Sequence, residues 1–232
     1  MRNVAVVLAG GTGTRLGESF PKQFIKIAGK KVIEHTLDVF QKHPLIDEIA
    51  VVSHADYIRD VEQISVKNHY TKLKKILAGG KERYDSSLAA INAYDEECNL
   101  VFHDAVRPLV DEQTITRCVE ALRDHLAIAV AVQSTDTIIE VNEREEICHI
   151  PPRKTLRNAQ TPQAFRRSVI KAAYEKALQD PGFQTTDDCG VVLKYMPEVP
   201  IKVVCGEQFN IKLTYKEDIF LLEKLFQLRQ SK

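Results

Sequence analysis

The sequence has no excess of either charge: 32 Lys and Arg stand against 32 Asp and Glu, for a formal net charge of zero. A polybasic face is not expected, which argues against nucleic acid as a partner. No apolar run approaches the length needed to cross a membrane. The opening MRNVAVVLAGG holds only a short apolar stretch that flows straight into glycines, which reads as a strand and not as a secretory leader. Cysteine is sparse and unpatterned. Cys98, Cys118, Cys148, Cys189 and Cys205 are odd in number and include no C-x-x-C pair. They read as reduced thiols of a cytoplasmic protein, with neither a disulfide framework nor a zinc site. Internal repeats and low-complexity segments are also missing. What remains is a chain of 232 residues, 44% hydrophobic, long enough for one large α/β domain.

The stretch around which the chain is organised is Val4 to Gln23. Five apolar residues, Val4 to Leu8, mark a buried strand, and Gly10, Gly11 and Gly13 follow. Glycines after a strand let backbone N–H groups approach phosphate oxygens with no Cβ in the way. Arg15 and Lys22 add positive charge a few residues later, which suits a nucleoside triphosphate whose reaction builds negative charge. A P-loop is excluded because no Lys-Ser/Thr follows the last glycine. A dinucleotide fingerprint fits poorly: its third glycine would come one position late, at Gly17, and the second strand ends in Ser53-His54 where an acidic residue is wanted. The nucleotidyltransferase loop L-A-G-G-x-G-x-R-(L/M)-G, followed by P-K, is matched at every defined position, from Leu8-Ala9-Gly10-Gly11 to Pro21-Lys22.

Beyond the loop, strand and helix patterns alternate. Helices are expected at Val32–His43, Tyr57–Val66, Ser86–Tyr94 and Ile115–Leu122, with strands at Ile46–Val52, Leu73–Leu77, Asn99–Phe102 and Ala127–Val132. That alternation predicts a Rossmann-like, doubly wound, mostly parallel sheet. It breaks at Thr137–Val141, a charged turn at Asn142–Glu146, and Ile147–Ile150, which together read as a protruding β-hairpin. Pro151 and Pro152 fix its exit. The alternation then resumes with helices near Ser168–Leu178 and Asp187–Tyr195, a strand at Ile201–Val204, and an amphipathic helix over about Lys216 to Arg229.

Four later stretches carry chemistry, each with a plainer reading beside it. Gly79-Gly80 opens a helix whose free N–H groups, with Arg83 and Ser86, suit an anion, but Gly-Gly before a capped helix is also an ordinary turn. Asp104 ends a buried strand, where open α/β sheets bind ligands; it suits a ribose hydroxyl or a metal-bound water, or a structural pair with Arg107. His103 reads as structural. Arg153 and Arg157 lie on the extended exit of the hairpin, as phosphate ligands or as solvated rim charges, and Thr161 before Pro162 reads as a helix cap. Lys212 sits in an apolar run, Phe209 to Thr214, that reads as a strand, so it must find an anion or reach solvent. Thr214 with Glu217 reads as a capping box for the last helix.

Taken in order, these motifs resemble the family of cytidylyltransferases that load CTP onto polyol phosphates. The matches are the glycine loop, Pro21-Lys22-Gln23, Gly79 to Ser86, His103 to Pro108, Asp136-Thr137-Ile138, Gln160 to Phe165, Thr186-Asp187-Asp188 and Asn210 to Thr214. The resemblance implies that Leu8, Ala9, Gly10, Gly11, Gly80, Arg83 and Ser86 surround CTP. It implies that Arg15, Lys22 and Lys212 stabilise triphosphate charge, and that Asp104, Arg107, Thr137, Arg153 and Thr161 approach the polyol phosphate. It also implies Mg²⁺ bridging phosphate oxygens, with Asp104 as its one assigned protein ligand, and a homodimer in which an arm at about residues 137–156 serves as the dimerisation element. Two branches of the family compete. Val106, Ile150-Pro151-Pro152-Arg153, Arg157 after Leu156, and Phe209-Asn210-Ile211-Lys212 resemble the branch acting on ribitol 5-phosphate. The other branch acts on methylerythritol 4-phosphate and usually has Ala at the position of Val106. A non-catalytic nucleotide sensor on the same fold is the reading from another class; Arg15 and Lys22 together argue against it, since backbone amides alone suffice for binding.

Overall fold

The computed structural model describes residues 1–11 and 21–230. Eleven strands and seven helices are present among them. The strands are β1 (Asn3–Ala9), β2 (Lys26–Ile27), β3 (Lys30–Lys31), β4 (Glu48–Ser53), β5 (Leu73–Ala78), β6 (Asn99–Asp104), β7 (Ala127–Gln133), β8 (Glu140–Val141), β9 (Ile147–His149), β10 (Arg157–Arg166) and β11 (Ile201–Cys205). The helices are α1 (Val32–Lys42), α2 (Ile58–Asn68), α3 (Arg83–Asn92), α4 (Glu112–Ala121), α5 (Arg167–Ala177), α6 (Asp188–Tyr195) and α7 (Glu217–Gln230).

The main sheet has the order β11-β7-β10-β6-β1-β4-β5. Strand β1 pairs in parallel with both β4 and β6, and β4 with β5, β7 with β11 likewise. Strand β10 runs antiparallel to β6 and β7, so the sheet is mostly parallel, as expected, with one reversed strand. The continuous apolar run of β1 has its cause in burial on both faces. Ala5, Val7 and Ala9 face a core shared with Ile33, Leu37 and Phe40 of α1 and Ile115 and Cys118 of α4. Val4, Val6 and Leu8 face the opposite core, with Ala90 and Ile91 of α3 and Ile170, Ala173 and Tyr174 of α5. Phe40 is fully enclosed, and its truncation to Ala should cost about 3–5 kcal/mol. A smaller cluster joins Ile27, Val32, Val106, Leu109 and Leu213 to Leu222 of α7.

The hairpin stands where the sequence puts it, as β8 and β9, although only Glu140 and Val141 of its first run are paired. Asn142 Oδ1 closes its turn by accepting the N–H groups of Arg144 and Glu146, at 2.9 and 3.1 Å. Ile138, Ile139, Val141, Ile147 and Ile150 are all exposed on it.

Four expectations are corrected. Thr161 and Pro162 do not start a helix; they lie inside β10, at a register shift between Ala159 and Gln163 where a residue without an N–H is tolerated. Residues 209–214 form no strand. Their backbone is held instead by Leu213 N–H on Val106 O at 2.9 Å and by Asn210. The last helix is capped by Asp218, whose Oδ2 accepts the N–H groups of Thr214 and Tyr215 at 2.6 and 2.7 Å, and not by Glu217. That helix is also less two-faced than expected: Leu222 is buried, yet Phe220, Leu221 and Leu228 are exposed. A short ribbon, β2 with β3, was not foreseen; Ala28 and Gly29 turn it with positive φ values of 47° and 83°.

Candidate active site

The carboxyl ends of β1, β4, β5 and β6 lie side by side, and the loops after β1 and β5 meet one helix start. Glu82 precedes α3, its N–H bound by Asp85 Oδ2 at 2.9 Å, so the helix begins at Arg83, three residues earlier than the apolar pattern suggests. Ser86, in its first turn, is buried between the two glycine loops. A Cβ on Gly10 would stand 3.0 Å from Ser86 Oγ, and one on Gly79 2.5 Å from it. A side chain at either glycine would have to displace the Ser86 hydroxyl. Gln23 ties the first loop down from the other side, donating from Nε2 to Ala9 O at 2.6 Å and to Gly11 O at 3.1 Å.

A cleft of about 260 Å³ opens above these loops. Leu8, Ala9, Gly10, Gly11, Gly80 and Ser86 form its floor, and Lys22, Arg83 and Lys212 bring positive charge to it. Lys22 is buried at the start of a single 3₁₀ turn, Lys22–Phe24. Arg15, Leu16 and the glycines at 13 and 17 lie outside the described residues.

Asp104 lines the cleft at the end of β6. Its Oδ2 lies 3.0 Å from Lys212 Nζ and 3.3 Å from Arg107 Nε. Burial alone would raise its pKa, but Lys212, then Arg83 and Arg107, hold it well below the usual carboxylate range. Lys212 thus finds an anion, as a Lys in apolar surroundings must. Arg107 also donates from Nη1 to Asn210 O at 2.8 Å.

Thr161 does not line the cleft; it sits behind Asp104 and fixes it. Its hydroxyl accepts the Asp104 N–H at 3.1 Å and donates to His103 Nδ1 at 3.0 Å. His103 Nε2 in turn faces Arg107 O at 3.1 Å, and a carbonyl there requires the ring proton on Nε2. Burial pushes the His103 pKa down to about 4, so the ring is neutral. Asn210 Nδ2 closes the set on Thr161 O at 2.8 Å. Thr137 and Arg153 are elsewhere: they lie on the exposed arm, where Arg153 Nη2 donates to Thr137 Oγ1 at 3.3 Å.

Two residues the sequence reading did not assign take part. Gln23 follows the noted Pro-Lys pair, and its role needs the three-dimensional loop to appear. Asp188 is fully buried, 2.8 Å from Arg83 Nη2. Burial opposes the charge on Arg83, but Asp188 and then Asp104 outweigh it and raise its pKa. No group of three or more His, Cys, Asp or Glu side chains is placed to hold a metal among the described residues. Among the described residues Asp104 stands in no cluster of three or more such side chains, which fits a Mg²⁺ that would be held mainly by substrate phosphates and water. No helix among the described residues is long and apolar enough to cross a membrane.

Comparison with known proteins identifies the family. Residues 3–228 match the family described as IspD, 2-C-methyl-D-erythritol 4-phosphate cytidylyltransferase. A protein of that name from Thermobifida fusca is 45% identical over 231 residues, covering 97% of this chain and 93% of its own. A Haemophilus influenzae protein named bifunctional ribulose 5-phosphate reductase/CDP-ribitol pyrophosphorylase Bcs1 is also 45% identical, over 98% of this chain, which spans 49% of that longer relative. Among solved structures, the 4-diphosphocytidyl-2C-methyl-D-erythritol synthase of Anaerococcus prevotii superposes with a TM-score of 0.87 at 32% identity, covering 97% of this chain and 98% of its own. The chain belongs to the IspD family of cytidylyltransferases.

Proposed function

We propose that this enzyme transfers the cytidylyl group of CTP to D-ribitol 5-phosphate, giving CDP-ribitol and pyrophosphate. The observation that carries the transfer chemistry is the convergence of Lys22, Arg83 and Lys212 on a glycine-floored cleft with Asp104 at its centre. The choice of ribitol rests on Val106, a buried cleft-lining side chain where the methylerythritol branch usually has Ala, and on the Haemophilus relative. A second reading, methylerythritol 4-phosphate, is favoured by the family description and by the equally similar Thermobifida relative.

In this proposal the amides and short side chains of Leu8 to Gly11, with Gly80, Arg83 and Ser86, hold CTP. A phosphate oxygen of the polyol attacks the α-phosphorus in line. The new P–O bond forms as the bond to the bridging oxygen breaks, and pyrophosphate carries away the electron pair. No enzyme nucleophile and no proton transfer are needed. Two polyanions must be brought together, so positioning and charge dominate. Arg15, Lys22 and Lys212 stabilise the charge on the five-coordinate phosphorus and the leaving group. Asp104 and Arg107 face the polyol side, and Thr161 holds Asp104 in place from behind. Mg²⁺ bound to the phosphates, with Asp104 as its protein ligand, would offset their charge further. Free thiols and a CTP substrate suit the cytoplasm.

We also propose a homodimer. A two-stranded hairpin is marginal alone and needs a surface to pack on, and this one exposes apolar side chains along its length. Two arms packed about a twofold axis cover the same patch on each chain and carry Thr137 and Arg153 to the neighbour's cleft. The test of the function is product analysis. Incubation with CTP, Mg²⁺ and D-ribitol 5-phosphate should yield pyrophosphate and CDP-ribitol in equal amounts. Binding of CTP without pyrophosphate release, whichever polyol phosphate is supplied, would mark a nucleotide sensor instead.

A further inference from the structure

Asp188 has no exposed surface, yet it carries a charge whose ion-pair partner, Arg83, lines the cleft. It is held on three sides. Its Oδ1 accepts the Tyr174 hydroxyl of α5 at 2.7 Å. Its N–H donates to Gln163 Oε1 of β10 at 3.2 Å, and that same oxygen accepts the Cys189 N–H. Asp187, beside it, caps α6 through Gly190 N–H at 2.8 Å and receives Gln163 Nε2 at 2.6 Å. The second carboxylate of the pair thus closes the helix end and leaves Asp188 for another task.

A buried ion pair is a poor stabiliser, because desolvation of both charges offsets most of their attraction. Here it is also incompletely hydrogen-bonded: Asp188 Oδ2 faces Arg83 Nη2 at 2.8 Å, but Arg83 Nη1 is buried with no hydrogen-bond partner among the described residues. Such an orphan donor in a native fold calls for a reason. An apolar pair would pack the same space without it, but it would not present a guanidinium to the cleft. Glu34 gives the contrast: it too is buried, but its ion-pair partner Lys67 is on the open surface and touches no cleft.

We propose that Asp188 is a positioning residue for the transfer reaction, acting through Arg83: it sets the guanidinium from behind, with Tyr174 fixing the carboxylate, and thereby orients Arg83 toward the nucleotide. This rests on the assignment of Arg83 to CTP made above. Asp188 touches no substrate. It transmits the placement of α5, α6 and β10 to a side chain on α3, so the two halves of the sheet meet at the nucleotide.

The experiment is a double-mutant cycle read by titration calorimetry of CTP in Mg²⁺ buffer, with no polyol present so that nothing turns over. Asp188→Asn should weaken CTP binding about 10-fold or more, the loss expected for a charge-assisted contact. Arg83→Met should weaken it at least as much. In the Arg83→Met background, Asp188→Asn should add less than about twofold, since its route to the nucleotide is already gone. Tyr174→Phe keeps the charge and the shape and should weaken binding about threefold, by loss of the hydrogen bond that orients the carboxylate. A merely structural Asp188 would lower the unfolding midpoint and leave CTP affinity intact, or its effect would multiply unchanged onto Arg83→Met; either result overturns the proposal. If Arg83→Met itself binds CTP as the parent does, the assignment of Arg83 fails and this proposal falls with it, while the transfer reaction stands or falls on product analysis. Should Asp188→Asn not fold, Tyr174→Phe carries the test, and parental affinity in that variant overturns the proposal.

Discussion

Lys212 Nζ lies 3.0 Å from Asp104 Oδ2, so the cation that closes the cleft is neutralised within the free protein. A polyphosphate arriving there must take over part of that charge. In the proposed reaction Asp104 weakens the direct grip of Lys212 on phosphate while fixing where Lys212 stands. Asp104→Asn should leave Lys212 and Arg107 with unbalanced charge. Inhibition by pyrophosphate should become tighter, while kcat falls on the order of 100-fold as the polyol side loses its carboxylate. Weaker pyrophosphate inhibition in this variant would show that the pair is not acting as described.

Lys22 is buried at the mouth of the first glycine loop. Lys22→Ala should lower kcat far more than it raises the Kd for CTP, because the charge matters most when the five-coordinate phosphorus forms. Loss of one preorganised charge should cost about 3–4 kcal/mol, or roughly 100- to 1000-fold in kcat. Turnover near the parent rate would remove Lys22 from the reacting centre.

His103 makes stability depend on pH. Its folded pKa is pushed down to about 4 by burial, against about 6.5 in an unfolded chain. Between those values the unfolded state binds the extra proton, so stability is intact above about pH 6.5 and is lost as the pH falls toward 4. The loss should reach about 2 kcal/mol at pH 5. His103→Gln should flatten that slope in denaturant unfolding measured at several pH values. Burial lowers His35 and His43 as well, so some slope will persist. An unchanged slope would mean that His103 is not held neutral.

The parts of the fold that were legible are those that packing dictates. Strands β1, β4 and β6 read clearly because both faces are buried, and α1 because Ile33, Leu37 and Phe40 share one stripe. Strand β10 was hidden: its first three residues, Arg157 to Ala159, are exposed and unpatterned, and Thr161-Pro162 mimics a helix start. The site was legible in the glycines after β1 and β5, where Gly10 and Gly79 pack close to the Ser86 hydroxyl. It was not legible where a polar side chain serves another one. Asp187 and Asp188 look alike in sequence, yet one caps a helix and the other meets Arg83. Lys212 was found for a partly wrong reason, since its run is no strand.

The arm offers a test in trans. If Arg153 acts in the neighbour's cleft, mixing inactive Lys22→Ala with inactive Arg153→Ala and allowing subunit exchange should restore activity. Each mixed dimer then holds one site with both defects and one intact site. Confirmed exchange without activity would place Arg153 in its own chain's site or away from substrate.

The most direct test of the central claim is a competition. The enzyme is given CTP, Mg²⁺ and an equimolar mixture of D-ribitol 5-phosphate and 2-C-methyl-D-erythritol 4-phosphate, and the two cytidine diphosphate products are measured early in the reaction. Their ratio equals the ratio of kcat/KM for the two polyols. CDP-ribitol should predominate by about 10-fold or more, the discrimination that one misplaced methyl group against a filled wall such as Val106 provides. A majority of the methylerythritol product would contradict the ribitol assignment, and the absence of both products would contradict cytidylyl transfer to either polyol.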